Sequence, residues 1–113
     1  SQGVSTAQYN LGYLYSILKG KIRDEQKASF WYLKAAEHGH PTARFHLAQR
    51  YEQGLGTKRN YVEALRWTIL AGKIAKSEKL KARIVEFKDE LLDKMPRSQI
   101  RKSTQLAEAT KGN

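Results

Sequence analysis

The stretch Phe30-Trp31-Tyr32-Leu33-Lys34-Ala35-Ala36-Glu37-His38-Gly39 sets three aromatic side chains against two alanines and a glycine. Such a cluster is either an aromatic binding site or one half of something the chain repeats, and self-similarity decides between the two. Trp31 recurs as Trp67, Ala35 as Ala71 and Ala28 as Ala64, each 36 positions later. Upstream at the same offset, Ala7 matches Ala43, Leu11 matches Leu47, Tyr15 matches Tyr51, Gly20 matches Gly56 and Asp24 matches Asn60. Gly3 matches Gly39, so the chain enters the repeat partway through its register. Phe30 and Tyr32 have Arg66 and Thr68 in their places. Trp31 and the alanines therefore belong to the architecture, whereas Phe30 and Tyr32 read as local choices.

Within each copy the apolar residues follow helical spacing: Ala7, Leu11, Leu14, Tyr15 and Leu18 in the first, Ala43, Leu47 and Tyr51 in the second. Pro41 suits the first turn of a helix, where its missing N–H has no intrahelical role. Gly54 and Gly56 then close that helix, which places first-type helices at about 5–18 and 41–53. Asp24 and Asn60 are of the type that caps helices by accepting a bond from an orphan backbone N–H. Asn60-Tyr61-Val62-Glu63 has the spacing of a capping box. Second-type helices follow at about 25–38 and 61–74, with Ala28, Trp31 and Ala35 on one face and Ala64, Trp67 and Ala71 on the other copy. Small residues let two helix axes approach, and one indole fills the space that remains. Gly12, with Ala48 as its counterpart, serves the same approach from the first-type helix. One ring per helix at a fixed period predicts packing, so Trp31 and Trp67 are core candidates.

After residue 75 the repeat fails, with Lys79 and Arg83 standing where the register calls for alanine and leucine. Helical spacing nevertheless continues through Leu80, Ile84, Phe87 and Leu91, with Val85 and Leu92 beside them. Ser77 suits the cap of that helix, and Pro96 opens another through Ile100, Leu106, Ala107 and Ala109. A polar outer side on these last helices is what the end of a stacked array requires. The expected fold is all-α, an α-solenoid of stacked antiparallel helix pairs with about six helices and a C-terminal capping pair. The single domain 1–113 divides into a first repeat at 2–38, a second at 39–75 and a degenerate third unit with the capping helices at 76–113.

Ala7-Gln8-Tyr9-Asn10-Leu11-Gly12 through Tyr15, the loop glycines Gly54 and Gly56, and Trp31-Tyr32-x-Lys34-Ala35-Ala36-Glu37-x-Gly39 resemble the Sel-one-like repeat, a subclass of the tetratricopeptide-type helical repeats. The resemblance covers residues 2–75, and the region of Met95-Pro96 and Gln99 is similar to the terminal helix that closes such arrays. It implies a right-handed α-solenoid acting as an adaptor for protein or peptide partners, without enzymatic activity or cofactor. Two positions depart from the pattern: Leu18 stands for the first loop glycine, which would let the first helix run a turn longer, and Lys21 and Thr57 stand for a valine.

Composition sets the outer bounds. Hydrophobic residues make up 40% of 113, enough for a core, and no apolar run approaches the ~18 needed to span a membrane. No signal peptide is legible at the N-terminus, although a processed or trimmed chain would read the same, and neither cytoplasm nor periplasm nor secretion is selected. The absence of cysteine excludes a disulfide framework and a thiolate metal site. The formal charge of +10 raises nucleic acid or an anionic surface as an alternative partner. The excess is spread evenly, however: residues 1–70 carry 10 basic and 5 acidic side chains, and residues 71–113 carry 11 and 6. Evenly scattered cations predict a solvated surface more than a phosphate-binding arm.

No chemistry emerges from the motifs. Ser16-Ile17-Leu18-Lys19 matches the Ser-x-x-Lys pattern of penicillin-recognising enzymes, but its partner motifs are absent, and 7 serines with 13 lysines produce such a match by chance. His38, His40 and His46 lack the convergent ligand set that a zinc site needs and read as exposed polar residues. Gly54-Leu55-Gly56-Thr57-Lys58 is too short to cradle a phosphate.

In arrays of the resembled type the first helices line a concave face, so specificity is expected at their non-repeated positions. These pair in register as Asn10 with His46, Tyr13 with Gln49, Leu14 with Arg50, and Ile17 with Gln53. The first repeat offers an apolar strip with one phenol, and the second offers polar and cationic groups. A peptide with an apolar segment followed by an acidic one would suit that gradient. Leu14 and Ile17 have a second reading, burial against a neighbouring helix. The N-terminal face is expected to be incompletely covered within this chain, so that either further repeats precede it in a longer protein or it self-associates through helix 5–18. Lys19, Lys21 and Arg23 with Lys58 and Arg59 form the alternative, charge-led edge.

Overall fold

Alanine-lined seams between helices organise the protein, whose computed structural model describes residues 2–18 and 22–110, the side chains of residues 22 and 23 excepted. The helices are α1 (Gln2–Ile17), α2 (Ile22–Glu37), α3 (Pro41–Gln53), α4 (Tyr61–Ile74), α5 (Glu78–Lys94) and α6 (Arg97–Ala109), with no strand among the described residues. α1 packs on α2 and α3 on α4 as pairs, α2 packs on α3 to join them, and α4 carries both α5 and α6. Short connections between contacting helices make the pairs antiparallel. No described helix is long and apolar enough to cross a membrane.

The caps explain the boundaries. Asn60 accepts from the Glu63 N–H at 3.0 Å and Ser77 from the Leu80 N–H at 3.2 Å, as their residue types predict. Pro41 opens α3, and its cap is the imidazole of His40, which accepts from Ala43 N–H through Nδ1 at 3.1 Å. Gly54 ends α3 at φ 73°, a left-handed conformation that glycine adopts without a Cβ clash. Three expectations need correction. α1 begins at Gln2, ahead of the expected start. It also stops at Ile17 although Leu18 replaces the glycine, the Leu18 N–H bonding Tyr15 O at 3.3 Å. Asp24 does not cap α2 but lies inside its first turn, buried, where a carboxylate favours the helix dipole.

The core joins Ala28, Ala35, Ala36, Ala43, Leu47, Ala48, Trp67 and Leu70 across α2, α3 and α4, and Ala107 of α6 closes it. Tyr32 belongs to this core, 2% exposed, so it is not a local surface choice. Its ring lies against Gly12, where an added Cβ would come within 2.8 Å of Tyr32 Cδ1. The second repeat carries Ala48 and Thr68 at these two places, both fully buried. Bulk lost on one helix is thus restored on the other. We expect Gly12→Ala to cost about 1–3 kcal/mol in chemical denaturation, because the buried ring cannot yield. In a Tyr32→Thr background the same change is expected to be neutral or stabilising, since alanine favours a helix interior by about 0.5–1 kcal/mol over glycine.

Trp31, in contrast, is only half-buried and meets Phe30 edge-on at 5.1 Å. Its counterpart Trp67 lies beneath the Arg44 guanidinium, whereas the position equivalent to Arg44 in the first repeat is Gln8, whose amide oxygen pairs with His38 Nδ1 at 2.8 Å. After α4 helix α5 starts at Glu78, and Ile84 and Leu91 face inward while Val85 is exposed.

Candidate functional site

The first-type helices α1 and α3 present the positions that vary between repeats. On α1, Asn10 is exposed, and Tyr13, Leu14 and Ile17 are 51%, 49% and 52% exposed. On α3, Gln53 is exposed, Gln49 and His46 are half-buried, and Arg50 is buried. The eight residues therefore do not form one uniform surface.

Arg50 is a framework residue, contrary to its expected outward place. Its Nε donates to Ser29 Oγ at 2.7 Å, and its Nη2 donates to Glu25 O at 3.2 Å and pairs with the Glu25 carboxylate. Ser29 Oγ in turn donates to Leu55 O at 2.6 Å, so one guanidinium ties α3, α2 and the α3–α4 loop together. α2 covers this position because it packs on α3. We expect Arg50→Ala to lose about 1–2 kcal/mol in denaturation, the low end for a charge-assisted network because Glu25 remains partly exposed. Tyr13→Ala is expected to leave stability nearly unchanged.

The register now separates two surfaces on α1. Leu11 and Leu14 correspond to Leu47 and Arg50, which are buried in the second repeat, yet they are exposed in the first. They form the end of the stack. Asn10, Tyr13 and Ile17 correspond to His46, Gln49 and Gln53 and line the helix side.

His46 is not an exposed polar residue either. Its ring stacks on Tyr32 at 5.3 Å and 11°, with Tyr9 tilted against it at 5.7 Å. Burial, reinforced by the charges of Arg83, Arg50 and His40, lowers its pKa to about 4. His40 is lowered too, by burial. A histidine depressed in the folded state is neutral in both states above pH ~6.5 and draws a proton preferentially into the unfolded chain below it. Stability is therefore expected to fall as pH drops from ~6.5 towards 4, by about 2 kcal/mol from His46. His46→Gln should flatten that part of the pH–stability profile.

Of the charge-led edge, Lys58 and Arg59 are exposed, and Lys19 and Lys21 and the Arg23 side chain lie outside the described residues. Ser16 donates to Tyr13 O of its own helix at 2.6 Å, and Lys19, its partner in the Ser-x-x-Lys pattern, also lies outside them. Sequence reasoning missed a second cluster altogether. Arg44 is 1% exposed, donates Nε to Ala36 O and Nη1 to Leu70 O, both at 3.0 Å, and lies with Arg66 about the Trp67 ring. Arg44 and Arg66 break the repeat at Gln8 and Phe30, which was the available signal.

Helix pairs stacked through small-residue seams, built from sequence matched at a 36-residue offset, define an α-solenoid repeat protein. Similarity to known proteins gives this class a family. The Sel1 repeat model matches residues 5–40 and 41–73, and the chain belongs to the Sel1 repeat family. Over 64 residues it is 44% identical to DAP3-binding cell death enhancer 1 of Rattus norvegicus and 42% identical to that of Mus musculus. Those matches cover 57% of this chain and 12% of each relative. Its fold superposes with TM-score 0.80 and 32% identity on a protective antigen of uropathogenic Escherichia coli with an SLR fold, covering 94% of this chain and 22% of that one. The chain thus spans a small fraction of the relatives it matches. Sel1 repeats generally mediate protein–protein interaction.

Proposed function

We propose that the protein is a non-enzymatic adaptor that holds a partner protein on the strip formed by Asn10, Tyr13 and Ile17 of α1 with Gln49 and Gln53 of α3. The observation that carries this reading is the exposure of Tyr13 and Ile17, 51% and 52%, on a helix whose Ser5 and Gly12 side is committed to α2. A tyrosine and an aliphatic side chain beside amides supply the apolar anchor and polar rim common at interfaces. The relatives named for binding DAP3 support a protein partner as the class of ligand, without assigning that partner to this chain. Because Arg50 is engaged with Glu25, the strip lacks the cationic end that an acidic segment would need. A partner segment with an exposed apolar side chain and free amide groups fits it better.

The end face with Leu11 and Leu14 has a different role. In the second repeat the equivalent residues receive α2, so this face is suited to another second-type helix, from a further repeat or a second copy of the chain. Capture with the intact chain, compared with the double variant Tyr13→Ala/Ile17→Asn, tests the adaptor reading. Loss of the captured partner with an unchanged melting temperature is expected. Undiminished capture that disappears with Lys58→Ala/Arg59→Ala and falls steeply with added salt would replace it by a charge-led edge.

A further inference from the structure

A groove with chemically distinct ends runs between α2, α3 and the α3–α4 loop. One compartment, about 200 Å³, is walled by Phe30, Leu33, Leu47 and Tyr51, and a second, about 400 Å³, is bordered by Lys58. Gln26, Gly56 and Thr57 line both, so the two form one continuous depression. Phe30 stands where the second repeat has Arg66, and it is 50% exposed. Its ring is nonetheless held in place, with Trp31 edge-on at 5.1 Å and Lys34 Nζ 5.4 Å from its centre. Leu47 is buried and Tyr51 half-buried, and both belong to the core, so the floor is fixed as well. An oriented aromatic wall over an apolar floor gives an incoming side chain a place to shed its water.

The middle and the far end select what enters. The side chains of Gln26 and Thr57 make no hydrogen bond among the described residues, and Gln26 is exposed. A carboxamide both donates and accepts, so it can pair with the N–H and the C=O of an extended chain. Lys58 is exposed, Lys34 borders the Phe30 wall, and no carboxylate lines either compartment among the described residues. Glu25, at the start of α2, is already paired with Arg50. An acidic side chain entering here would meet a cation without a like charge beside it. A nucleic-acid strand needs a row of cations, whereas most of this groove is apolar or neutral. Side chains of an extended chain alternate, so two that face the groove lie two positions and about 7 Å apart. We propose that this groove is a second docking site, which takes an extended segment of a partner protein. An aliphatic side chain seats against Phe30, and an acidic side chain two positions away lies beside Lys58. The site is separate from the α1–α3 strip and does not rest on it.

The test uses the whole chain labelled with ¹⁵N and the peptide acetyl-Ser-Leu-Ser-Asp-Ser-amide. Titration is expected to move the amide resonances of Gly56 and Thr57 saturably, with a dissociation constant on the order of millimolar for so short a probe. Phe30→Ser should weaken binding at least about tenfold and Lys58→Glu at least about fivefold. Both side chains are exposed, so the melting temperature should stay unchanged in each variant. Peptides with serine in place of the leucine, or lysine in place of the aspartate, should bind the parent chain at least about fivefold more weakly. The Tyr13→Ala/Ile17→Asn variant should bind the peptide as the parent does. No saturable shift at Gly56 and Thr57 up to about ten times the expected dissociation constant would overturn the proposal. Equal binding of the serine or the lysine peptide would overturn it too, because the groove would then read neither end. Binding that survives Phe30→Ser and disappears in Tyr13→Ala/Ile17→Asn would move the segment to the α1–α3 strip and likewise overturn it.

Discussion

Replacing Trp67 by alanine is expected to destabilise the fold by about 3–5 kcal/mol, the range for deleting a buried aromatic side chain. The indole is 4% exposed and lies in the cluster that joins α2, α3, α4 and Ala107 of α6, so no single helix can move in to close the cavity. The loss also strips a ring from beside the buried Arg44, whose pKa is already lowered by burial and by the charge of Arg66. Trp67→Phe should recover most of the packing. Trp31→Ala should cost clearly less, because its ring is half-buried and bordered by exposed Phe30. Chemical denaturation of the three variants checks the order. A loss below about 1 kcal/mol for Trp67→Ala would put the indole outside the core.

Gly56→Ala is expected to cost about 3 kcal/mol, combining left-handed backbone strain of about 1–2 kcal/mol with a steric term of similar size. Gly56 has φ 71°, and a Cβ there would sit 2.1 Å from Glu25 O and 2.8 Å from Ser29 Oγ. Neither atom can retreat freely, since Glu25 O accepts from Arg50 and Ser29 Oγ holds Leu55 O. The damage should spread through the Arg50 network into α2, and hydrogen exchange should accelerate at the α3–α4 loop and the start of α2 together. Acceleration confined to residues beside 56 would show that the loop is not docked on α2. Gly54→Ala lacks this close approach, its nearest neighbour being Arg59 N at 3.4 Å, and should cost only the backbone strain.

Local features were legible in the chain because they are written in neighbouring residues. Asn60, Ser77 and Gly54 set helix ends through bonds that reach no further than four residues, Pro41 does so through its fixed φ, and the 36-residue offset revealed the repeat. His40 and Asp24 escaped that reading, for the side chain that caps and the residue type that commonly caps are different things.

Burial was decided elsewhere. Leu11 and Leu47 are matched residues on matched helices, yet one is 36% exposed and the other 1%, because α2 lies over α3 and no described helix lies over that side of α1. The same asymmetry makes Leu14 a surface residue and turns Arg50 from a candidate contact into a strut. Tyr32 and Gly12 depart from the repeat together, and each looks arbitrary until the two helices are brought into contact. A sequence determines the period and handed face of each helix through interactions along the chain. Which of two identical faces is covered depends on what lies across the interface, and that is a property of the assembled stack alone.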